Sequence, residues 1–176
     1  MIIPNEQYKP TTPDTISTPQ NRSPQLYLQV VKQFPVETHV RWAPIPAKGI
    51  TWCNILLWDW SRAMSAEIPH WVDQQGNPTA MGVGTETTAN GVCDWLMNCG
   101  AKFGWTPSDL SGAVANSKKG KPTVVVWKNP KGHGHVAVVL PTDPAPRISQ
   151  AGASNFQDKP LATSFGNLPV TYYIHL

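Results

Sequence analysis

The first apolar residues at helical spacing are Leu26, Val30 and Phe34. Ser23 and Pro24 precede them, a capping hydroxyl followed by the residue suited to the first helical position, and Pro35 closes the run. An extended stretch, VETHVRWAPIP, leads to Gly49. Apolar positions then return as Cys53, Leu57, Trp60 and Met64 on one helical face. Thr51 is the expected cap, which puts Cys53 in the first turn, and Pro69 lies beyond the end. Val92, Trp95, Leu96 and Cys99 predict another helix over 88–99, stopped by Gly100. Thr106-Pro107-Ser108-Asp109 has the form of a capping box and predicts a third helix, running to Lys118 before Gly120.

Beyond Gly120 the period shifts from helical to β-branched runs. TVVVWKN, the turn PKGHG and HVAVVLP read as a β-hairpin. RISQAGAS predicts a third strand and PVTYYIHL a closing one. Helices first and an antiparallel sheet afterwards give an α+β fold class. Residues 1–24 contain Pro4, Pro10, Pro13, Pro19 and Pro24 among small polar residues, and are expected to form an extended arm before a domain over 25–176.

Composition narrows the function classes. With 176 residues, one domain with a self-sufficient core is expected. Charged residues are only 14% of the chain and the net charge is +3, which argues against a disordered polyelectrolyte or a nucleic-acid-wrapping protein. The lysines at 118, 119, 121, 128 and 131 lack any accompanying nucleic-acid recognition motif. No run of about 18 apolar residues exists, so membrane insertion is not expected. The opening MIIPNEQYKPTTPD has neither a basic leader nor an apolar core segment, so synthesis in the cytoplasm without a secretory signal is expected. Cys53, Cys93 and Cys99 are too few for a disulfide framework.

The candidate chemistry begins at Cys53. Free N–H groups and the positive end of a helix favour a thiolate, and a thiol nucleophile needs a general base. His135 opens a strand after Lys131-Gly132-His133-Gly134, so its ring can project from the sheet. Gln150 on the next strand is within cross-strand reach to orient that ring, with Asn155 as a second choice. His133 is read as a solvated turn residue able to touch substrate. A zinc reading of His133 and His135 would need a third ligand from His39, His70 or His175, and no HExxH or CxxC spacing supports it. Trp58, Trp60 and Trp95 are expected in the core. Trp42, Trp71 and Trp105 lie in loops, where an aromatic wall of a binding groove is as reasonable as packing.

Trp52-Cys53-Asn54 at a helix start, Gly134-His135-Val136-Ala137-Val138-Val139 on a strand and Gln150 on the following strand resemble the papain-like peptidoglycan hydrolases, the NlpC-type peptidases and CHAP domains. The likeness spans residues 36–176, and Arg41–Trp60, WKNPKGHGHVAVV and ISQAGASNF are similar to phage cell-wall lysins of that superfamily. The chain departs from it at Gln150, where relatives carry His, Glu or Asn, and in having Trp-Cys-Asn for Asp-Cys-Ser. The resemblance implies a papain-like fold, N-terminal helices packed on a C-terminal antiparallel sheet, and a cysteine-dependent amidase or endopeptidase acting on bacterial peptidoglycan. Cys53, His135 and Gln150 would be catalytic, with Trp42, Asn54, Asn155 and His133 on the substrate or oxyanion side. No cofactor or metal is implied, and a monomer is expected. Delivery would be by release, by a virion or by injection, and an injected protein would have an immunity protein as partner. Two alternatives stand beside this reading: a zinc-dependent cell-wall amidase, and a non-catalytic wall-binding or virion structural module.

Overall fold

The computed structural model describes residues 6–142 and 146–176. In chain order the elements are a 3-10 turn Glu6–Tyr8, α1 (Pro24–Lys32), 3-10 turns Val40–Trp42 and Pro46–Lys48, and α2 (Cys53–Ala63). A short ribbon follows, β1 (Trp71–Val72) and β2 (Thr85–Glu86), then α3 (Ala89–Asn98). The sheet region comprises β3 (Trp105–Ser108), α4 (Leu110–Ser117), β4 (Thr123–Trp127), β5 (His135–Val139), β6 (Arg147–Gln150), β7 (Phe156–Pro160), α5 (Ala162–Phe165) and β8 (Thr171–His175). Six strands form an antiparallel sheet in the order β3-β8-β4-β5-β6-β7. The class is α+β. None of the described helices is long and apolar enough to cross a membrane.

Both faces of the sheet are covered, which is why Val124–Val126 of β4 and Val136–Val139 of β5 are continuously apolar rather than alternating. Val124, Val126, Val136 and Val138 pack in the larger core with the buried residues of α1, α2 and α3, among them Tyr27, Leu57 and Trp60. Val125, Ala137, Val139, Ile148 and Phe156 turn to the other face and meet Ala113 of α4 and Phe165 of α5. The Tyr27 hydroxyl donates to the Val139 carbonyl at 2.6 Å, pinning α1 to the sheet.

Several expectations hold and several move. Ser23 caps α1 by accepting from the Leu26 N–H, and Thr88 caps α3. The proposed capping box does not start a helix at Thr106. Trp105–Ser108 pairs with β8 as an edge strand, where Pro107 is tolerated, and Asp109 caps α4 instead.

The N-terminal segment from Glu6 onward is held against the domain, and residues 1–5 lie outside the described residues. Arg41 donates to the carbonyls of Glu6 and Lys9, Arg62 donates to that of Thr11, and the Ser17 N–H donates to Ala63. Gln7 and Ser17 are buried. The clamp centres on Asp59, fully buried in α2, which accepts from both Arg41 nitrogens facing it (2.7 and 2.9 Å), from the Trp42 indole and from the Thr11 hydroxyl.

Candidate active site

Cys53 is the first residue of α2. The cap position is taken by Trp52, not Thr51, and Trp52 supplies no side-chain acceptor. Its indole donates instead to the Ala43 carbonyl, which seats the ring beside the helix start. The opening N–H groups of α2 therefore keep their hydrogen-bonding capacity for another acceptor, which a Ser, Thr or Asp cap would have taken up.

The thiol is only 5% exposed yet lines an open cleft of about 450 Å³. Burial pushes its pKa up, opposed by the N–H groups of Val136, Asn54 and Cys53 itself. The expectation of a resting thiolate is thereby corrected. The helix terminus favours the anion, but desolvation outweighs it, so the thiol rests protonated and needs a base at the moment of attack.

The base candidates come from the start of β5. His135 pairs with Trp127 across the hairpin, and its ring lies against Phe165 at 5.0 Å. Nε2 of His135 is 2.6 Å from Oε1 of Gln150, while Nε2 of Gln150 donates to the Ser154 carbonyl at 2.9 Å. The second bond fixes which end of the amide faces the ring. It makes Gln150 the acceptor and His135 the Nε2–H donor, leaving Nδ1 with the lone pair. Burial lowers the His135 pKa, opposed by the bond to Gln150, so the ring rests neutral. The thiol meets the same strand at the Val136 N–H, one peptide unit from His135. Among the described residues no hydrogen bond joins Cys53 to His135. The close approach at Gly152 is also local to this pair, since a Cβ there would sit 3.2 Å from the imidazole and 3.1 Å from the Gln150 amide.

The remaining site residues separate. Asn54 lines the Cys53 cleft, with its amide anchored on the Thr87 carbonyl at 3.0 Å, and His133 lines the same cleft. Asn155 does not reach the imidazole. Its amide donates to the Val36 and Trp42 carbonyls and ties the loop before α2 to the β6–β7 turn. Trp42 is 3% exposed with its indole N–H committed to Asp59, so its side chain offers no oxyanion donor. Trp105 is likewise buried, and Trp58, Trp60 and Trp95 are in the core. The aromatic side chains that line the cleft are Trp52 and Tyr8. Tyr8 sits in the proline-rich segment, where composition gave no sign of a site residue. Its folded position depends on the Arg41 clamp, a long-range contact that local spacing does not reveal.

Among the described residues, no three His, Cys, Asp or Glu side chains converge as a metal site would require. No protein-family model matches the chain, and no curated protein matches its sequence.

Proposed function

We propose that this protein is a cysteine-dependent hydrolase of the papain-like type, cleaving an amide bond in the peptide part of bacterial cell wall. The observation that carries the chemistry is a cysteine lining an open cleft at an uncapped helix start, packed on the strand that His135 opens, with the His135–Gln150 pair on the Phe165 side of that strand. The choice of wall peptide as substrate rests on the resemblance of Trp52-Cys53-Asn54 and Gly134-His135-Val136-Ala137 to peptidoglycan hydrolases.

In this reading Cys53 Sγ attacks the amide carbonyl and its proton passes to Nδ1 of His135. The N–H groups opening α2 hold the oxyanion, and the imidazolium then protonates the leaving amine. Water, deprotonated by the same imidazole, cleaves the thioester and restores the thiol. Gln150 keeps the ring in its productive tautomer throughout. The His135 ring packs with Phe165 on the sheet face away from α2, so the thiol–imidazole contact is not formed in the free protein, and the reading requires the ring to turn toward Cys53 when substrate binds.

One observation favours a second assignment of the base: His133, not His135, lines the Cys53 cleft. Digestion of purified peptidoglycan by wild type, Cys53→Ser, His133→Ala and His135→Ala, with new termini identified by mass spectrometry, tests both. The proposal expects no new termini from Cys53→Ser, a deep loss for His135→Ala and a modest one for His133→Ala. A reversed histidine order transfers the base to His133, and undiminished digestion by Cys53→Ser refutes the hydrolase reading.

A further inference from the structure

The turn that brings His133 to the Cys53 cleft has little backbone bonding of its own. Residues 128–134 join β4 to β5, and Pro130, Lys131, Gly132 and His133 are exposed. Among the described residues, the one backbone–backbone bond inside the turn runs from the Gly132 N–H to the Asn129 carbonyl at 3.4 Å. Two asparagines supply the rest. Asn129 braces the turn from within, accepting from the Lys131 N–H (3.0 Å) and donating to the His133 carbonyl (3.3 Å). Asn90, the second residue of α3, braces it from outside. Its amide donates to the carbonyls of Asn129 (3.0 Å) and Gly132 (2.9 Å), and its Oδ1 accepts from the Asn129 N–H (2.9 Å). Both N–H groups and the oxygen of one side chain are thus spent on the turn.

Helix stability does not account for this residue. Thr88 caps α3, and asparagine inside a helix is less favourable than alanine because its side chain competes for backbone groups. Gly134 shows how closely the two parts are fitted. A Cβ there would lie 2.3 Å from the Asn90 oxygen and 2.6 Å from the Trp127 carbonyl oxygen, so a larger residue would push the turn off the helix. The start of α3 borders the cleft through Thr88 and Ala89, and the turn borders it through His133 and Gly134, together with Cys53. Asn90 itself is not part of that lining, so any effect it has on the chemistry passes through the turn.

We propose that Asn90 is a positioning residue, fixing the β4–β5 turn on α3 so that His133 is held in the Cys53 cleft. The inference rests on that cleft being the site of the hydrolase proposed above, and it gives Asn90 no contact with substrate. His133 stands between two glycines, so its place depends on a side chain from another element.

Asn90→Asp separates positioning from folding. It keeps an oxygen for the Asn129 N–H, and a carboxylate in the first turn of α3 is favourable to the helix, so the urea midpoint should change little. It also sets an oxygen against the Asn129 and Gly132 carbonyls in place of two donors. Backbone amide relaxation, measured by NMR, reads the turn. Order parameters for residues 131–134 should be about 0.85 in wild type and below about 0.6 in Asn90→Asp. Initial rates of peptidoglycan digestion read the consequence. Asn90→Asp should fall to the rate of His133→Ala, and the double variant should stay within about twofold of either, since nothing remains to be positioned once the imidazole is gone. A purely structural loss would instead multiply with that of His133→Ala. Multiplied losses, digestion by Asn90→Asp at the wild-type rate, a turn already mobile in wild type, or one still rigid in Asn90→Asp overturns the proposal. If Asn90→Asp does not fold, Asn90→Ala is carried through the same measurements. Digestion lost in Cys53→Ser alongside any of those four results leaves the hydrolase standing and removes Asn90 from it. Digestion retained by Cys53→Ser removes the hydrolase reading, and the positioning role with it.

Discussion

Replacing Arg41 with Met tests the clamp that holds the N-terminal segment in place. Met keeps most of the apolar stem and deletes the guanidinium. Four hydrogen bonds disappear: two to Asp59, one to the Glu6 carbonyl and one to the Lys9 carbonyl. The carbonyls can turn to water, but Asp59 is fully buried and keeps only Thr11 and Trp42 as donors. Removing one partner of a buried ion pair typically destabilises by about 3–5 kcal/mol, because the other charge is left without compensation. Burial already raises the Asp59 pKa with Arg41 present, and its loss raises it further. The folded variant then binds a proton more readily than the unfolded chain. The deficit is therefore largest at neutral pH and shrinks as the pH falls toward the folded-state pKa. Urea unfolding followed by tryptophan fluorescence reads the loss as a lower midpoint at unchanged slope. Adding Asp59→Asn, which removes the stranded charge and keeps an acceptor for Thr11 and Trp42, should restore part of the loss. Limited proteolysis should show residues 9–22 cut faster in the single variant. A loss below about 1 kcal/mol, or no recovery in the double variant, would refute the reasoning.

Two further outcomes follow from titratable groups. The His70 pKa lies near 4 when folded against 6.5 when unfolded, so the unfolded chain binds its proton first as the pH falls. Between pH 6.5 and 4 wild type should lose about 3 kcal/mol more stability than His70→Phe, measured by urea unfolding across that range, and parallel curves would contradict it. Gln150→Leu should lower kcat/KM by about 10- to 100-fold with the wall still bound. The Gln150 bond raises the His135 pKa against burial, so its removal should also move the acid limb of the pH profile down, whereas Gln150→Glu should move it up. An unmoved limb in both variants would show that His135 is not the titrating base.

How far the sequence could be read depended on the range of the interactions. Local signals placed α1, α2, α3 and the β4–β5 hairpin, because cap chemistry and apolar spacing act within a few residues. They also placed Gln150 on the strand beside His135, where it reaches the ring diagonally along the register. Pro107 misled because a proline that opens a helix and a proline on a sheet edge look alike locally, and the partner that decides, β8, lies far along the chain. β7, with the run FQDKP, escaped notice because it is the opposite edge of the sheet and mostly exposed. The resemblance puts Trp42 on the substrate or oxyanion side, but the Asp59 that captures its indole sits in a helix whose buried face otherwise reads as apolar. Tyr8, His70 and Glu86 come together only through the clamp and the short ribbon, and no pattern in their own segments marks them.

The proposed reaction passes an acyl group through the Cys53 sulfur. Intact-protein mass spectrometry after rapid acid quenching of a turnover mixture with stem peptide tests this most directly, with the adduct mapped by digestion. A mass increment equal to the acyl part of the cleaved peptide, carried on the fragment containing Cys53 and absent from Cys53→Ser, is the predicted result. Cleavage proceeding with no adduct on that fragment, and at the same rate in Cys53→Ser, would contradict it.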